Sequence, residues 1–136
     1  MAPPFAVRRL DGVPRVATEA DDPDWYPLQH HFGLTAFGAN VYIARSPGSA
    51  MLGDHDELAS NQEELYMVIS GEATFVIEGE RFDAPAVSVV AIPDPAVQRA
   101  ATANVAGTTI VAIGGERQPK FRTSWQTQHF ENVPKL

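Results

Sequence analysis

Short apolar segments separated by proline and glycine occupy the chain from Gly38 to Gly114. Most are five to nine residues long and rich in Val, Ile, Thr, Phe and Tyr, a pattern typical of short β-strands joined by turns. No window in this region has helical spacing, and the one predicted helix is a short C-terminal segment, Ser124–Glu131. The predicted strands are Gly38–Arg45, Glu64–Ser70, Glu72–Glu78, Arg81–Asp83, Ser88–Ile92, Ala96–Ala103 and Thr108–Gly114.

The segment TFVIEGERF predicts a β-hairpin, because Gly79 follows Glu78 where a tight turn requires a positive φ. The segments LYMVI and VSVVAI are apolar on both faces of a strand. One face can fill an interior while the other packs on a second sheet or a second subunit. The pattern predicts an all-β sandwich or barrel, and we expect a homodimer.

Length and composition indicate one domain with an ordinary core, since the chain has 136 residues and 44% of them are hydrophobic. The absence of cysteine excludes disulfides, thiolate zinc sites, iron–sulfur clusters and cysteine nucleophiles. No apolar run approaches the roughly 20 residues of a membrane-spanning helix. The N-terminus, MAPPFAVRRL, lacks the order of a signal peptide. We therefore expect a cytoplasmic protein with no membrane partner.

The charge distribution argues against a nucleic-acid partner. Seventeen acids and ten bases give a net charge of −7. Between Asp54 and Asp83 there are nine acids and a single base, Arg81. Such a surface repels phosphate backbones, so the expected partner is a small molecule.

From Pro47 to Gly114 the chain resembles the cupin superfamily. Glu64 is followed by LYMVIS and then Gly71, the glutamate-to-glycine spacing of the first cupin motif. The stretch DAPAVSVVAIPDPAVQRAAT resembles the second motif, and GTTIVAIGG resembles the closing strand. The resemblance implies a double-stranded β-helix, or jelly-roll, barrel with a core at about 38–114, flanked by short N- and C-terminal arms in a single domain over residues 1–136.

The resemblance also implies a metal site built from two or three imidazoles and one carboxylate on iron, manganese, nickel or zinc. Here the ligand set is incomplete. No histidine lies at the standard spacing before Glu64, but a slightly longer loop at Leu58–Glu63 would let His55 and Glu57 take the places of the family's paired histidines. Glu64 is retained, whereas Gln98 replaces the histidine of the second motif and Thr102 the later asparagine. We expect no tightly bound metal, with a weak Mn, Fe or Zn site at His55, Glu57 and Glu64 as the alternative.

Alternation along the strands selects the candidate pocket residues. Tyr66 shares the face of Glu64, so it either places a hydroxyl over a ligand or packs as a core aromatic residue. Gln98 and Thr102 share one face and Arg99 takes the other. We expect Gln98 and Thr102 to line the pocket, although a bulge between Pro93 and Pro95 would instead turn Arg99 inward as a clamp for an anion.

His30 and His31 are adjacent in DWYPLQHHFGLTAFG, and on an extended strand only one of them could face a pocket. They are either surface or interface residues or, as in some metal-free sugar epimerases of the superfamily, a source of a general base. His129 lies in the polar tail and receives no role.

Three functions are compatible with these residues. The first is a binding protein whose barrel holds a small molecule without a standard cupin metal site. The second is a metal-dependent oxygenase, isomerase or lyase that uses His55, Glu57 and Glu64, and the third is a structural protein. The alanines of AVQRAATANVA suggest interior room for a ligand. A separation above about 6 Å between the polar atoms of His55 and Glu64 would exclude the metal enzyme, because both ligands must lie near 2 Å from one ion.

Overall fold

A computed structural model describes residues 3–136 and contains two antiparallel β-sheets packed face to face. In chain order the strands are β1 (Asp24–Pro27), β2 (Gly38–Ile43), β3 (Ala50–His55), β4 (Gln62–Ser70), β5 (Glu72–Ile77), β6 (Glu80–Pro85), β7 (Ser88–Ile92), β8 (Arg99–Ala103) and β9 (Thr109–Glu116). The first sheet has the order β1-β2-β9-β4-β7 and the second has the order β3-β8-β5-β6. The predicted all-β jelly-roll class is confirmed.

Among residues 3–136, helical structure is limited to one short α-helix, α1 (Leu28–Phe32), and to 3₁₀ turns at Leu10–Gly12 and Thr127–Phe130. The second of these turns is all that forms of the predicted helix Ser124–Glu131. None of the helices in the described part of the chain is long and apolar enough to cross a membrane.

The core lies between the two sheets and is built from the inward half of each strand. Tyr66 and Val68 of β4 alternate with less buried neighbours, as expected for a strand with one buried face. Phe75 of β5 and Ile110 of β9 meet them from the two sheets, and all four residues are 0–1% exposed. Alanines fill the remaining interior positions of the second sheet, namely Ala73, Ala84, Ala101 and Ala103.

The strand β3 was absent from the sequence prediction. Its pairing with β8 is irregular, with register shifts between Ala50 and Leu52 and between Leu52 and His55. These shifts break the two-residue alternation by which strands are recognised in sequence. The strand β1 was missed as well, because only four residues separate Pro23 from α1.

The strand β8 begins at Arg99, three residues later than predicted, because a turn occupies its expected start. The side chain of Asp94 accepts the N–H of Ala96 at 2.9 Å, and its carbonyl accepts the N–H of Val97 at 3.1 Å. Along β8 the residues Arg99, Ala101 and Ala103 are buried and point inward. The inward orientation of Arg99 is the alternative that the sequence left open.

The N-terminal arm packs along the edge of the first sheet. Val16 pairs with Trp25 of β1, and Asp24 forms ion pairs of 2.8 Å with both Arg15 and Arg45. Partial burial opposes ionisation of Asp24, but the hydrogen bonds and positive charges of Arg45 and Arg15 outweigh it and lower the pKa of Asp24.

His30 and His31 belong to α1 rather than to a strand, so the expected extended geometry was wrong. The helix follows Pro27 and ends at Gly33, which has a φ of 69°. The side-chain oxygen of Gln29 accepts the N–H of Ala39 at 2.8 Å and ties the helix to β2. Both histidines are exposed on the outside of the molecule, where they belong to no interior cluster.

Candidate metal and ligand site

Three acid–base side chains converge at one end of the barrel, although they come from different parts of the fold. His55 ends β3 in the second sheet, Glu57 follows in the next loop, and Glu64 lies near the start of β4 in the first sheet. The Nε2 atom of His55 lies 3.1 Å from Glu57 Oε1 and 3.8 Å from Glu64 Oε1. One ligand atom from each residue lies within 4.8 Å of the other two.

Glu57, in the loop after β3, is held in this position by hydrogen bonds to its backbone and its side chain. The N–H of Glu57 donates to the carbonyl of Pro95 at 2.8 Å, and its own carbonyl accepts the N–H of Gln62 at 3.4 Å. The hydroxyl of Ser60 donates to Glu57 Oε2 at 2.6 Å. One carboxylate oxygen is thereby used locally, while Oε1 faces His55.

A backbone contact orients the His55 ring. Its Nδ1 atom lies 2.6 Å from the carbonyl oxygen of Gly53, so Nδ1 carries the proton and donates. In the neutral ring this leaves a lone pair on Nε2, directed at the two carboxylates. Metal-bound histidines are held in the same way in other proteins, with the second ring nitrogen donating to a backbone carbonyl.

Glu64 is fixed by Tyr66, whose hydroxyl donates to Glu64 Oε1 at 2.6 Å. Burial raises the pKa of Glu64, and the negative charge of Glu57 raises it further. The hydrogen bond from Tyr66 and the charge of Arg99 oppose that rise. Burial and the bond to Glu64 also raise the pKa of Tyr66 above its usual range, so Tyr66 remains a donor at neutral pH.

Tyr42 is a partly buried tyrosine, packed against the core, that sequence reasoning did not single out. It lies on the inner face of β2, and burial raises its pKa to about 12, with added contributions from the charges of Glu64 and Glu57. The alternation in GANVYI pairs Tyr42 with Asn40 on one face, but the sequence contains no signal for which face is inside. At neutral pH Tyr42 is a protonated phenol and a hydrogen-bond donor.

The predicted pocket residues divide between the inside and the outside of the barrel. Tyr66 points inward and belongs to the core, with its hydroxyl on Glu64. Thr102 is exposed on the outer face of β8. Gln98 precedes that strand, and its backbone N–H donates a hydrogen bond to Glu78 Oε1 at 3.1 Å. Thr102 therefore lies outside the barrel rather than in the expected pocket, Arg99 takes the inward position on β8, and Gln98 is half-buried.

The two interior alanines of β8 belong to the packed core. Ala101 and Ala103, taken from the sequence as a sign of internal space, are 2% and 1% exposed in the same core as Tyr66 and Phe75. The cluster itself is partly exposed at the mouth of the barrel. There the side chains of His55, Glu57 and Glu64 are 36%, 20% and 13% exposed.

The donor set fits a divalent metal ion. One neutral imidazole and two carboxylates suit Mn, Fe or Zn, and three protein ligands leave coordination positions open. Each of these ligands is held by a neighbouring group. The Gly53 carbonyl accepts from His55 Nδ1, the Ser60 hydroxyl donates to Glu57, and the Tyr66 hydroxyl donates to Glu64. The sequence named all three candidate ligands, and the 3.8 Å separation of His55 and Glu64 meets the distance criterion for one shared ion.

Comparison with known proteins gives structural relatives only. No protein-family model and no curated protein matches the sequence. A sugar phosphate isomerase of the cupin superfamily from Silicibacter pomeroyi is 21% identical, with 84% of this chain and 77% of that chain covered at a TM-score of 0.67. The plu4264 protein from Photorhabdus luminescens is 23% identical, with 85% and 89% covered at a TM-score of 0.60.

A third relative is Pac13, a nucleoside dehydratase, which is 13% identical, with 87% of this chain and 85% of that chain covered at a TM-score of 0.60. Variants of the protein from Streptomyces have been crystallised with uridine. These likenesses confirm the fold that the sequence resemblance implied. At such identities they concern the fold alone.

Proposed function

We propose that this chain, which has the cupin fold, binds a divalent metal ion through His55, Glu57 and Glu64 and acts with it on a small, oxygen-rich molecule as an isomerase or lyase. The observation that carries the proposal is the orientation of His55. Its Nδ1 is committed to the carbonyl of Gly53, which leaves Nε2 facing two carboxylates at 3.1 and 3.8 Å.

Each ligand is supported from a different direction, so the site is preorganised before an ion arrives. Ser60 occupies the second oxygen of Glu57, and Tyr66 donates to Glu64. Two carboxylates this close repel each other, and a cation between them relieves that repulsion. A bound metal would act as a Lewis acid that polarises a carbonyl or hydroxyl oxygen of the substrate.

The protein's own side chains determine which chemistry takes place on a substrate held at the metal. Tyr66 keeps Glu64 oriented and favours its ionised form. Tyr42 stays protonated at neutral pH because burial raises its pKa to about 12, with the charges of Glu64 and Glu57 adding to the rise. A tyrosine hydroxyl bonded to one of two neighbouring carboxylates, as Tyr66 is to Glu64, suits proton transfer beside a carbonyl group, the step common to isomerases and lyases.

Two observations favour isomerase or lyase chemistry over oxygenation. The ligand set has one imidazole and two carboxylates, whereas non-haem iron oxygenases use two imidazoles and one carboxylate. Structural relatives include a sugar phosphate isomerase and a nucleoside dehydratase, both of which act on polyhydroxylated molecules.

Metal-free ligand binding is the second candidate function, and the same geometry supports it. An imidazolium at His55 would satisfy Glu57 and Glu64 directly at the observed distances. The cluster would then be an internal ion pair at the mouth of a binding barrel, with no open coordination position. The two functions differ in whether the isolated protein takes up metal.

The experiment compares two neighbouring glutamates. Untagged wild-type protein, Glu64→Gln and Glu63→Gln are incubated with Mn²⁺, Fe²⁺ and Zn²⁺, and bound metal is measured by elemental analysis and calorimetry. Glu63 is the matched control because it precedes Glu64 on β4 but is exposed on the outer face. We expect near-stoichiometric metal in the wild type and in Glu63→Gln, and an affinity lower by about 100-fold in Glu64→Gln.

Two results would contradict the proposal. One is wild-type protein that stays metal-free with all three ions, which would leave the metal-free binding barrel. The other is equal loss of metal in Glu63→Gln and Glu64→Gln, which would point to general acidity of the surface rather than to this cluster.

A further inference from the structure

Arg99 is the largest fully buried side chain of the molecule, with an exposure of 0%. Its Nε, Nη1 and Nη2 atoms are all buried, and none has a hydrogen-bond partner among residues 3–136. A guanidinium group has five N–H donors and stays charged at every physiological pH. The structure therefore holds a permanent positive charge whose donors are unused.

The position of Arg99 relates it to the proposed metal cluster. In the pairing of β3 with β8, Arg99 lies directly opposite His55, and in the pairing of β5 with β8 it lies opposite Ile77. Its charge acts on Glu64 and Tyr66 from across the barrel. Within the described chain, however, no carboxylate oxygen comes within 4.0 Å of its nitrogens.

Stability does not account for an arginine in this environment. A buried charge without hydrogen bonds is costly, and an apolar side chain of similar volume packs at least as well. The neighbours on β8, Ala101 and Ala103, are ordinary core residues. The unpartnered guanidinium therefore points to a group that is supplied from outside the chain.

We propose that Arg99 is the recognition site for an oxyanion, a carboxylate or a phosphoryl group, carried by the molecule that binds at the mouth of the barrel. The planar fork of the guanidinium matches two oxygens of such a group with two parallel hydrogen bonds. Because Arg99 is itself fully buried, such a group would have to enter past His55, the pairing partner of Arg99, whose side chain is 36% exposed.

The charge balance of the cluster agrees with an anionic ligand. With Glu57 and Glu64 ionised and His55 neutral, a divalent ion together with Arg99 leaves one positive charge in the site. An anion neutralises it, so the substrate class becomes a small hydroxylated or carbonyl compound that also carries an acidic group. That the anion belongs to the substrate rests on the proposed function, whereas anion binding at Arg99 does not.

The test measures anion binding in Arg99→Met, Arg99→Lys and the control Arg81→Met. Arg81 is an exposed arginine on β6 whose removal makes the same change in net charge. Thermal unfolding and calorimetry are run with pyruvate as the carboxylate probe and inorganic phosphate as the phosphoryl probe. Each titration is made in EDTA and again with Mn²⁺.

We expect the Tm of the wild type and of Arg81→Met to rise with anion concentration, as it does when a ligand binds only the folded state. Arg99→Met loses this response while its Tm without anion equals or exceeds that of the wild type. Arg99→Lys keeps the charge but loses the fork, and its affinity falls by about 10-fold. A response to pyruvate assigns a carboxylate, and a response to phosphate alone assigns a phosphoryl group.

Two outcomes would overturn the inference. One is a wild type whose Tm responds to neither probe in EDTA or with Mn²⁺, and the other is an unchanged response in Arg99→Met and Arg99→Lys. The failure of the metal proposal is separable from both. Protein that binds no Mn²⁺ but still requires Arg99 for anion binding retains this inference, and protein that binds Mn²⁺ with no anion response retains only the proposed function.

Discussion

Glu64 is the residue on which the candidate site depends. It accepts the hydroxyl of Tyr66 at 2.6 Å, lies 3.8 Å from His55 and shares the influence of the Arg99 charge. Burial and Glu57 favour its protonated form, and Tyr66 and Arg99 favour its carboxylate. The affinity of the site for a cation therefore varies with pH through Glu64, because only the carboxylate binds metal.

Replacing Tyr66 with Phe should shift metal binding to higher pH. The substitution keeps the core ring but removes the hydrogen bond that lowers the pKa of Glu64, so that pKa rises further. At pH 6 we expect an affinity for Mn²⁺ lower by about 10-fold, with the two proteins converging as pH increases and Glu64 ionises in both. Calorimetric titrations between pH 5.5 and 8.5 provide the measurement.

Tyr42→Phe is the control for this experiment, since Tyr42 is near Glu64 but does not hydrogen-bond to it. Its pH profile for metal binding should match that of the wild type. If Tyr66→Phe also matched the wild type, the bond from Tyr66 would not be what holds Glu64 in its binding form.

At the level of elements, the pairing of β4 with β9 makes room for the Glu64 side chain. Gly114 of β9 lies directly opposite Glu64. A Cβ atom at Gly114 would come within 3.0 Å of Glu64 Cγ and within 3.0 Å of Gln62 Oε1. Both contacts are with flexible side chains, so the backbone pairing tolerates the change and Glu64 moves instead.

We predict that Gly114→Ala lowers the affinity for Mn²⁺ by about 10-fold with little change in Tm, because a ligand is displaced while the sheet is kept. Gly115→Ala is the matched control, since its Cβ would meet only Ala36 O at 3.7 Å and Phe37 Cβ at 3.9 Å, both ordinary contacts. Calorimetry and thermal unfolding of the two variants give the comparison. Equal affinities would show that Glu64 does not need the space above Gly114.

In the whole molecule, the outer face of the first sheet is apolar and partly exposed. The outer face of the first sheet carries Leu65 and Met67 of β4, Val89 and Ala91 of β7 and Ile113 of β9. Val89 is 57% exposed and Ile113 is 38% exposed. A groove of about 580 Å³ runs over part of this face between Phe37 and Phe121. An apolar face of this extent is typical of an interface.

The homodimer expected from the sequence stays a prediction, and this outer face is where it can be tested. If two copies pack through it, Val89→Lys places a charge in the interface and should give a monomer by light scattering after gel filtration. Val105→Lys is the control, because Val105 is also exposed, at 46%, but lies in the loop between β8 and β9. A monomeric wild type would refute the expectation.

Most strands followed from the sequence because they depend on local patterns, and the three candidate metal ligands followed from the resemblance to the cupin motifs. Short apolar segments between glycines and prolines mark β4, β5, β7 and β9, and the spacing of Glu64 from Gly71 carried the resemblance that implied the barrel. The strand β3 was lost because its bulges interrupt the alternation. The helix α1 was lost because it is a single turn.

What only the tertiary structure decided is which side chains meet. Arg99 faces inward because β8 pairs with β3 and β5 in a register that puts Arg99 opposite His55 and Ile77. Tyr42 faces the core because β2 pairs with β9 in a register that puts Tyr42 opposite the buried Ile110. The sequence determined the residue types and the strand period, whereas inward and outward faces are set by long-range pairing that no local pattern records.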